Sequence, residues 1–135
     1  MAYIYTSVKE AISQEAKRFE CISKRYELPY CILLLWSEAG EDISSIVLAN
    51  TRCADHFVKI DENLYALVFF ANRPDAYSKV ANKLMYALEK SFPKKKFSIG
   101  VACTDHMEAS DVIMRAVQNL LSAKDQDFNT IEDNF

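Results

Sequence analysis

The sequence predicts an α+β domain with a ferredoxin-like β-α-β-β-α-β core, an antiparallel sheet and one added helix at each end. Three observations carry this. Apolar residues recur at helical spacing in separate stretches along the chain. Runs rich in β-branched and aromatic residues lie between those stretches. Two of these runs are divided only by a short polar turn, which reads as a hairpin.

The elements follow in order. Residues 6–26 read as a helix, with Val8, Ile12, Phe19 and Ile22 as its apolar stripe among charged residues. Pro29 separates it from Tyr30–Trp36, an unbroken apolar run that reads as a central strand buried on both faces. Gly40, Glu41 and Asp42 break the chain, with Asp42 as a candidate cap, and Ile43, Ile46 and Val47 open a second helix that fades near Arg52. His56–Ile60 and Leu64–Ala71 form the hairpin around Asp61, Glu62 and Asn63. Pro74 and Asp75 open a third helix with Tyr77, Val80, Ala81, Leu84, Met85 and Leu88 as its stripe. Lys94, Lys95 and Lys96 read as a solvated connector. Phe97–Cys103 is the last core strand, and Ala109–Ala123 the closing helix. The four strands predict a four-stranded antiparallel sheet with helices on one face. The tail after Lys124 is polar and is expected to be loosely held.

The chain of 135 residues suits one domain, residues 1–135. Its apolar runs, such as Tyr30–Trp36 and Leu64–Ala71, are far shorter than the roughly 20 residues a membrane-spanning helix needs. The first residues show no secretory pattern, so a cytoplasmic setting without membrane insertion is expected. A net charge of −3 argues against a nucleic acid polymer as partner, though a few well-placed cations suffice for a compact anion. Cys21, Cys31, Cys53 and Cys103 have no zinc or C-x-x-C spacing and read as reduced packing residues. With only two glycines, Gly40 and Gly100, there is no glycine-rich phosphate loop. No cofactor or metal site is expected. Asp105, His106 and Glu108 form a polar turn without supporting ligand spacing.

Four passages resemble the GGDEF (diguanylate cyclase) family. Ile32-Leu33-Leu34-Leu35 matches its first strand, Asp61–Tyr65 and the following Ala66-Leu67-Val68-Phe69 its signature hairpin, and Ser98-Ile99-Gly100-Val101-Ala102 its SIGVA strand. Ala123-Lys124 with Asn129 resembles its closing AK-x-x-G-x-N pattern, with Asp127 in place of the glycine. The resemblance implies the nucleotide-cyclase palm fold. It also shows what this chain lacks for making cyclic di-GMP from GTP. The signature positions read Asp61, Glu62, Asn63, Leu64 and Tyr65, so both glycines are gone and Asn63 and Leu64 replace the acidic pair. Leucine cannot hold magnesium. Trp36 replaces the first-strand aspartate, and a shift of register cannot restore Asp61 or Glu62 as ligands, because it turns side chains to the other face. The segment between the first strand and the hairpin has room for one helix where the family has two. A domain that is not an enzyme is expected.

The family's inhibitory product site uses R-x-x-D five residues before the signature. Here Arg52-Cys53-Ala54-Asp55 is followed by His56–Ile60 and then the turn. Such a pair at one fixed register arises by chance in only about one average chain in three hundred. The chemistry is sound. Arginine's fork matches the O6 and N7 acceptors of guanine, and a carboxylate accepts from its N1–H and amino group. By position Lys83 stands for the family's basic residue on the next helix, with Arg73 as a substitute; Cys53 lies inside the motif and His56 beside it. The resemblance implies a cyclic di-GMP receptor that acts on a protein partner. The alternative is a nucleotide-independent interaction scaffold anchored by exposed aromatic side chains.

Overall fold

The computed structural model describes residues 2–71, 75–104 and 107–133. The elements run α1 (Ala2–Tyr26), β1 (Tyr30–Ser37), α2 (Ser44–Ala49), β2 (His56–Lys59), β3 (Leu64–Phe70), α3 (Ala76–Ser91), β4 (Phe97–Thr104), α4 (Ala109–Lys124) and β5 (Thr130–Glu132). The sheet order is β2-β3-β1-β4-β5. The first three pairings are antiparallel, with Tyr30 opposite both Phe70 and Thr104. β5 runs parallel to β4. This is the expected α+β core with two corrections.

The first correction concerns the layers, since helices cover both faces of the sheet rather than one. Along β1, Tyr30, Ile32 and Leu34 pack with the stripes of α1 and α4, while Cys31, Leu33 and Leu35 pack with α2 and α3. β3 divides in the same way, with Leu64, Ala66 and Val68 on one side and Tyr65, Leu67 and Phe69 on the other. Strands apolar on both sides need a helical layer on each. The second correction is β5. The tail does not hang free, because Asn129 Oδ1 accepts from Phe97 N at 2.8 Å and Thr130–Glu132 then covers the open edge of β4. Pairing an otherwise bare edge, with Ile131 packed against the core, outweighs the polar composition of the tail.

The cysteines are a further correction. Cys31 and Cys103 form a disulfide, and Cys21 and Cys53 are free and exposed. The pair is 72 residues apart in sequence, but β1–β4 register sets the two directly opposite. Spacing along the chain could not show it.

Local chemistry explains the element ends. Glu27 has φ 52°, and Leu28 N donates to Ser23 O at 3.1 Å, closing α1 in a Schellman turn before Pro29. Ile43, not Asp42, holds the cap position of α2, and Asp42 Oδ1 accepts from Ser44 N at 2.9 Å from one residue further out. Glu20 of α1 accepts from Ala109 N, the first amide of α4, at 2.8 Å and from Lys24 Nζ at 2.7 Å. The Lys24 hydrogen bond, followed by that from Ala109, holds the Glu20 carboxyl below its ordinary range against the opposing effect of burial. A depressed folded value stabilises the fold above the unfolded carboxylate range, and this is lost as pH falls through the folded value. Glu20→Ala is expected to cost about 1 kcal/mol at neutral pH and clearly less at about pH 3. Thermal unfolding at both pH values checks this; an equal cost at each would rule out the ionic cap.

Candidate functional site

The chain leaves α2 through a short turn that builds the Arg52–Asp55 pair. Asn50 Nδ2 donates to Ile46 O and Thr51 Oγ1 to Leu48 O, so the helix end is satisfied locally. Asp55 Oδ2 then accepts from Arg52 N at 2.8 Å, while Asp55 N donates to Arg52 O at 3.0 Å. The aspartate thus closes its own turn one residue before β2. The Arg52 guanidinium is exposed and donates through Nη2 to Phe70 O, at the end of β3, at 3.3 Å. One of five donors is spent in this way, and the fork is held in place with the rest available. Two hollows flank the pair. One of about 180 Å³ is lined by Leu28, Arg52, Ala54, Asp55 and Phe70. The other, of about 430 Å³, is lined by Leu48, Thr51, Arg52, Cys53, Asp55, His56 and Phe57.

The structure therefore brings Arg52 and Asp55 together, with Cys53 and His56 beside them. Lys83 is exposed on α3 and lines neither hollow. Arg73, Asp105 and His106 lie outside the described residues. The Phe70 carbonyl and Leu28 complete the site and were not legible in the sequence. Phe70 reaches it at the end of β3 and Leu28 from the turn that closes α1, and a backbone carbonyl leaves no mark on residue type.

The signature positions are occupied by structural contacts. Asn63 Nδ2 donates to Ser37 O at 2.7 Å, and Asn63 O accepts from Ser37 N at 2.8 Å. Leu64 is fully buried among the residues of α1, α4 and the sheet. The Tyr65 hydroxyl accepts from Ile43 N at 3.3 Å and pins the entry to α2. Asp61 accepts from the Tyr3 hydroxyl of α1 and, through Oδ1, from Glu62 N at 2.8 Å. The Tyr3 hydrogen bond is the main cause holding the Asp61 carboxyl below its ordinary range. At the same end of the sheet Lys124 Nζ sits 3.5 Å from the centre of the Trp36 ring. Burial, with Lys96 nearby, lowers the Lys124 pKa. Among the described residues no group of three or more His, Cys, Asp or Glu side chains could hold a metal ion. A single helix, α2, separates β1 from β2.

In its fold the chain is an α+β domain with the palm of GGDEF domains. The GGDEF domain of DgcB from Caulobacter crescentus, solved in complex with c-di-GMP, superposes with a TM-score of 0.79 at 12% identity, over 93% of this chain and 89% of that one. The FimX GGDEF domain from Pseudomonas aeruginosa gives 0.77 at 13% identity, covering 93% of each chain. The active GGEEF domain of a diguanylate cyclase from Vibrio cholerae gives 0.73 at 12% identity, over 89% of this chain and 92% of that one. No protein-family model matches the chain, and no curated protein matches it in sequence. At such identities the likeness is one of fold. No described helix is long and apolar enough to cross a membrane.

Proposed function

We propose that this chain is a single, catalytically inactive GGDEF-like domain that serves as a cytoplasmic cyclic di-GMP receptor in bacterial signalling. The observation that carries the reading is the Arg52–Asp55 turn, with its guanidinium set on Phe70 O between two open hollows. Arg52 takes the O6 and N7 edge of a guanine or a phosphate, and Asp55 takes N–H groups through its carboxylate. Lys83 adds charge from α3 without a fork. No cofactor is required. Inactivity rests on chemistry at the signature, where the Leu64 side chain offers no oxygen to magnesium and Trp36 fills the first-strand position with an indole under Lys124. Ligand binding then alters contacts with a protein partner.

A nucleotide-independent scaffold is favoured by a different observation. Tyr3, Tyr26, Tyr86 and Phe128 are each more than 60% exposed and could anchor a partner without ligand. Calorimetric titration of cyclic di-GMP into the domain separates the two. The expected result is micromolar or tighter binding, with no cyclic di-GMP formed from GTP and magnesium. Absence of both heat and thermal shift overturns the receptor and leaves the scaffold; product from GTP overturns the inactivity.

A further inference from the structure

Charge on this chain is unevenly placed. The net value is −3, yet the segment from Asp75 to Lys96 carries six lysines against two carboxylates. In α3, Lys79, Lys83, Tyr86 and Lys90 recur at steps of four, three and four, which stacks them in one narrow arc. All four are exposed, Tyr86 to 66%. The opposite side of α3, with Ala81, Leu84, Met85 and Leu88, lies in the core, so the row faces outward. Lys94 and Lys95, exposed in the connector, add to the row beyond the helix end. Lys96 does not, since it is half-buried and donates to Lys124 O at 2.8 Å.

The two carboxylates do little to cancel this charge. Glu89 lies off the row and accepts from Asn129 Nδ2 at 2.9 Å. Asp75 stands 3.4 Å from Lys79, but both side chains are more than half exposed, and such a pair is worth little.

We propose that this face of α3 and its lysine connector dock the domain on an anionic lipid bilayer. Every cation in the segment is a lysine. Hydrated point charges suit many loosely placed headgroups, whereas a defined acidic peptide is better matched by forked arginines. Tyr86 sits within the row, and an exposed tyrosine with a polar tip belongs at headgroup level. From Lys79 to Lys90 the row runs about 16 Å along the helix. Outside this segment the chain is net acidic, and the cations of α1 (Lys9, Lys17, Arg18, Lys24 and Arg25) are largely offset by Glu10, Glu15 and Glu20, so the α3 face carries the largest excess of positive charge and sets the orientation.

Each lysine near such a surface multiplies the partition coefficient about fivefold. The test is co-sedimentation of the domain with vesicles of phosphatidylcholine alone or with about one-third phosphatidylserine. The variant combines Lys79→Gln, Lys90→Gln, Lys94→Gln and Lys95→Gln, and leaves Lys83 in place. These side chains are exposed, and an unchanged melting curve verifies the fold. Binding is expected only to the phosphatidylserine vesicles, weakened by added salt and lowered about a hundredfold or more in the variant. Equal partition to both vesicle types, or no loss in the variant, overturns the proposal. So does capture by polyglutamate or duplex DNA without binding to the vesicles.

Discussion

Gly100→Ala is expected to be the most damaging single-methyl change in this domain, costing about 3 kcal/mol or more. Gly100 lies on β4 opposite Leu34, on the face that α4 covers. A Cβ built there would stand 2.2 Å from Leu120 N, 2.6 Å from Leu120 Cα and 2.8 Å from Ala116 O. These are backbone atoms of a helix buried along one whole side, so no side chain can swing away to make room. Either α4 lifts off the sheet or β4 bends, and both disturb the core shared with α1. The melting temperature should fall by roughly 10 °C or more. Gly40→Ala is the control. Its φ of +77° is strained for alanine, but nothing lies within 4 Å, and the cost should stay near 1 kcal/mol. Equal losses in the two variants would refute the close-approach argument.

Arg52→Ala is expected to weaken cyclic di-GMP binding roughly a hundredfold while barely moving the melting temperature. Its guanidinium makes one hydrogen bond, to Phe70 O, from an exposed position, so the fold depends little on it. The turn keeps its shape because the Asp55 carboxylate holds the backbone amide of residue 52, not its side chain. Arg52→Lys keeps the charge and loses the fork, and should fall between wild type and alanine. Asp55→Asn retains an oxygen for the residue 52 amide and loses the negative charge offered to the base, giving a smaller loss. Calorimetry on the three variants beside wild type reads all of this. Wild-type affinity in Arg52→Ala would remove the pair from the ligand site and return it to surface decoration.

Much of the fold was legible because it rests on local pattern. The unbroken run Tyr30–Trp36 announced a strand buried on both faces, and β1 is that strand. The stripe of α3, and that of α1 except Ile22, named residues that now pack in the two cores. The second helical layer was implicit in the same double-sided strands, but the ferredoxin-like pattern alone placed helices on one face. β5 was hidden because three residues carry no periodicity, and their pairing depends on Asn129 meeting Phe97 across the fold. The disulfide was hidden for a similar reason, since Cys31 and Cys103 are neighbours only once β1 and β4 are in register.

The candidate site divides along the same line. Residue identity alone determined that Leu64 and Trp36 cannot ligate magnesium, and that Arg52 and Asp55 stand three apart at a helix end. These are properties of side-chain chemistry and of short spacing, which survive in a string of letters. Only the tertiary structure decided that Phe70 O anchors the guanidinium, that Tyr3 holds Asp61 and that Lys124 covers Trp36. It also decided that scattered lysines of α3 form one outward row. Those relations depend on strand register, helix phase and which face is buried, and all three are set by packing among residues far apart in the chain.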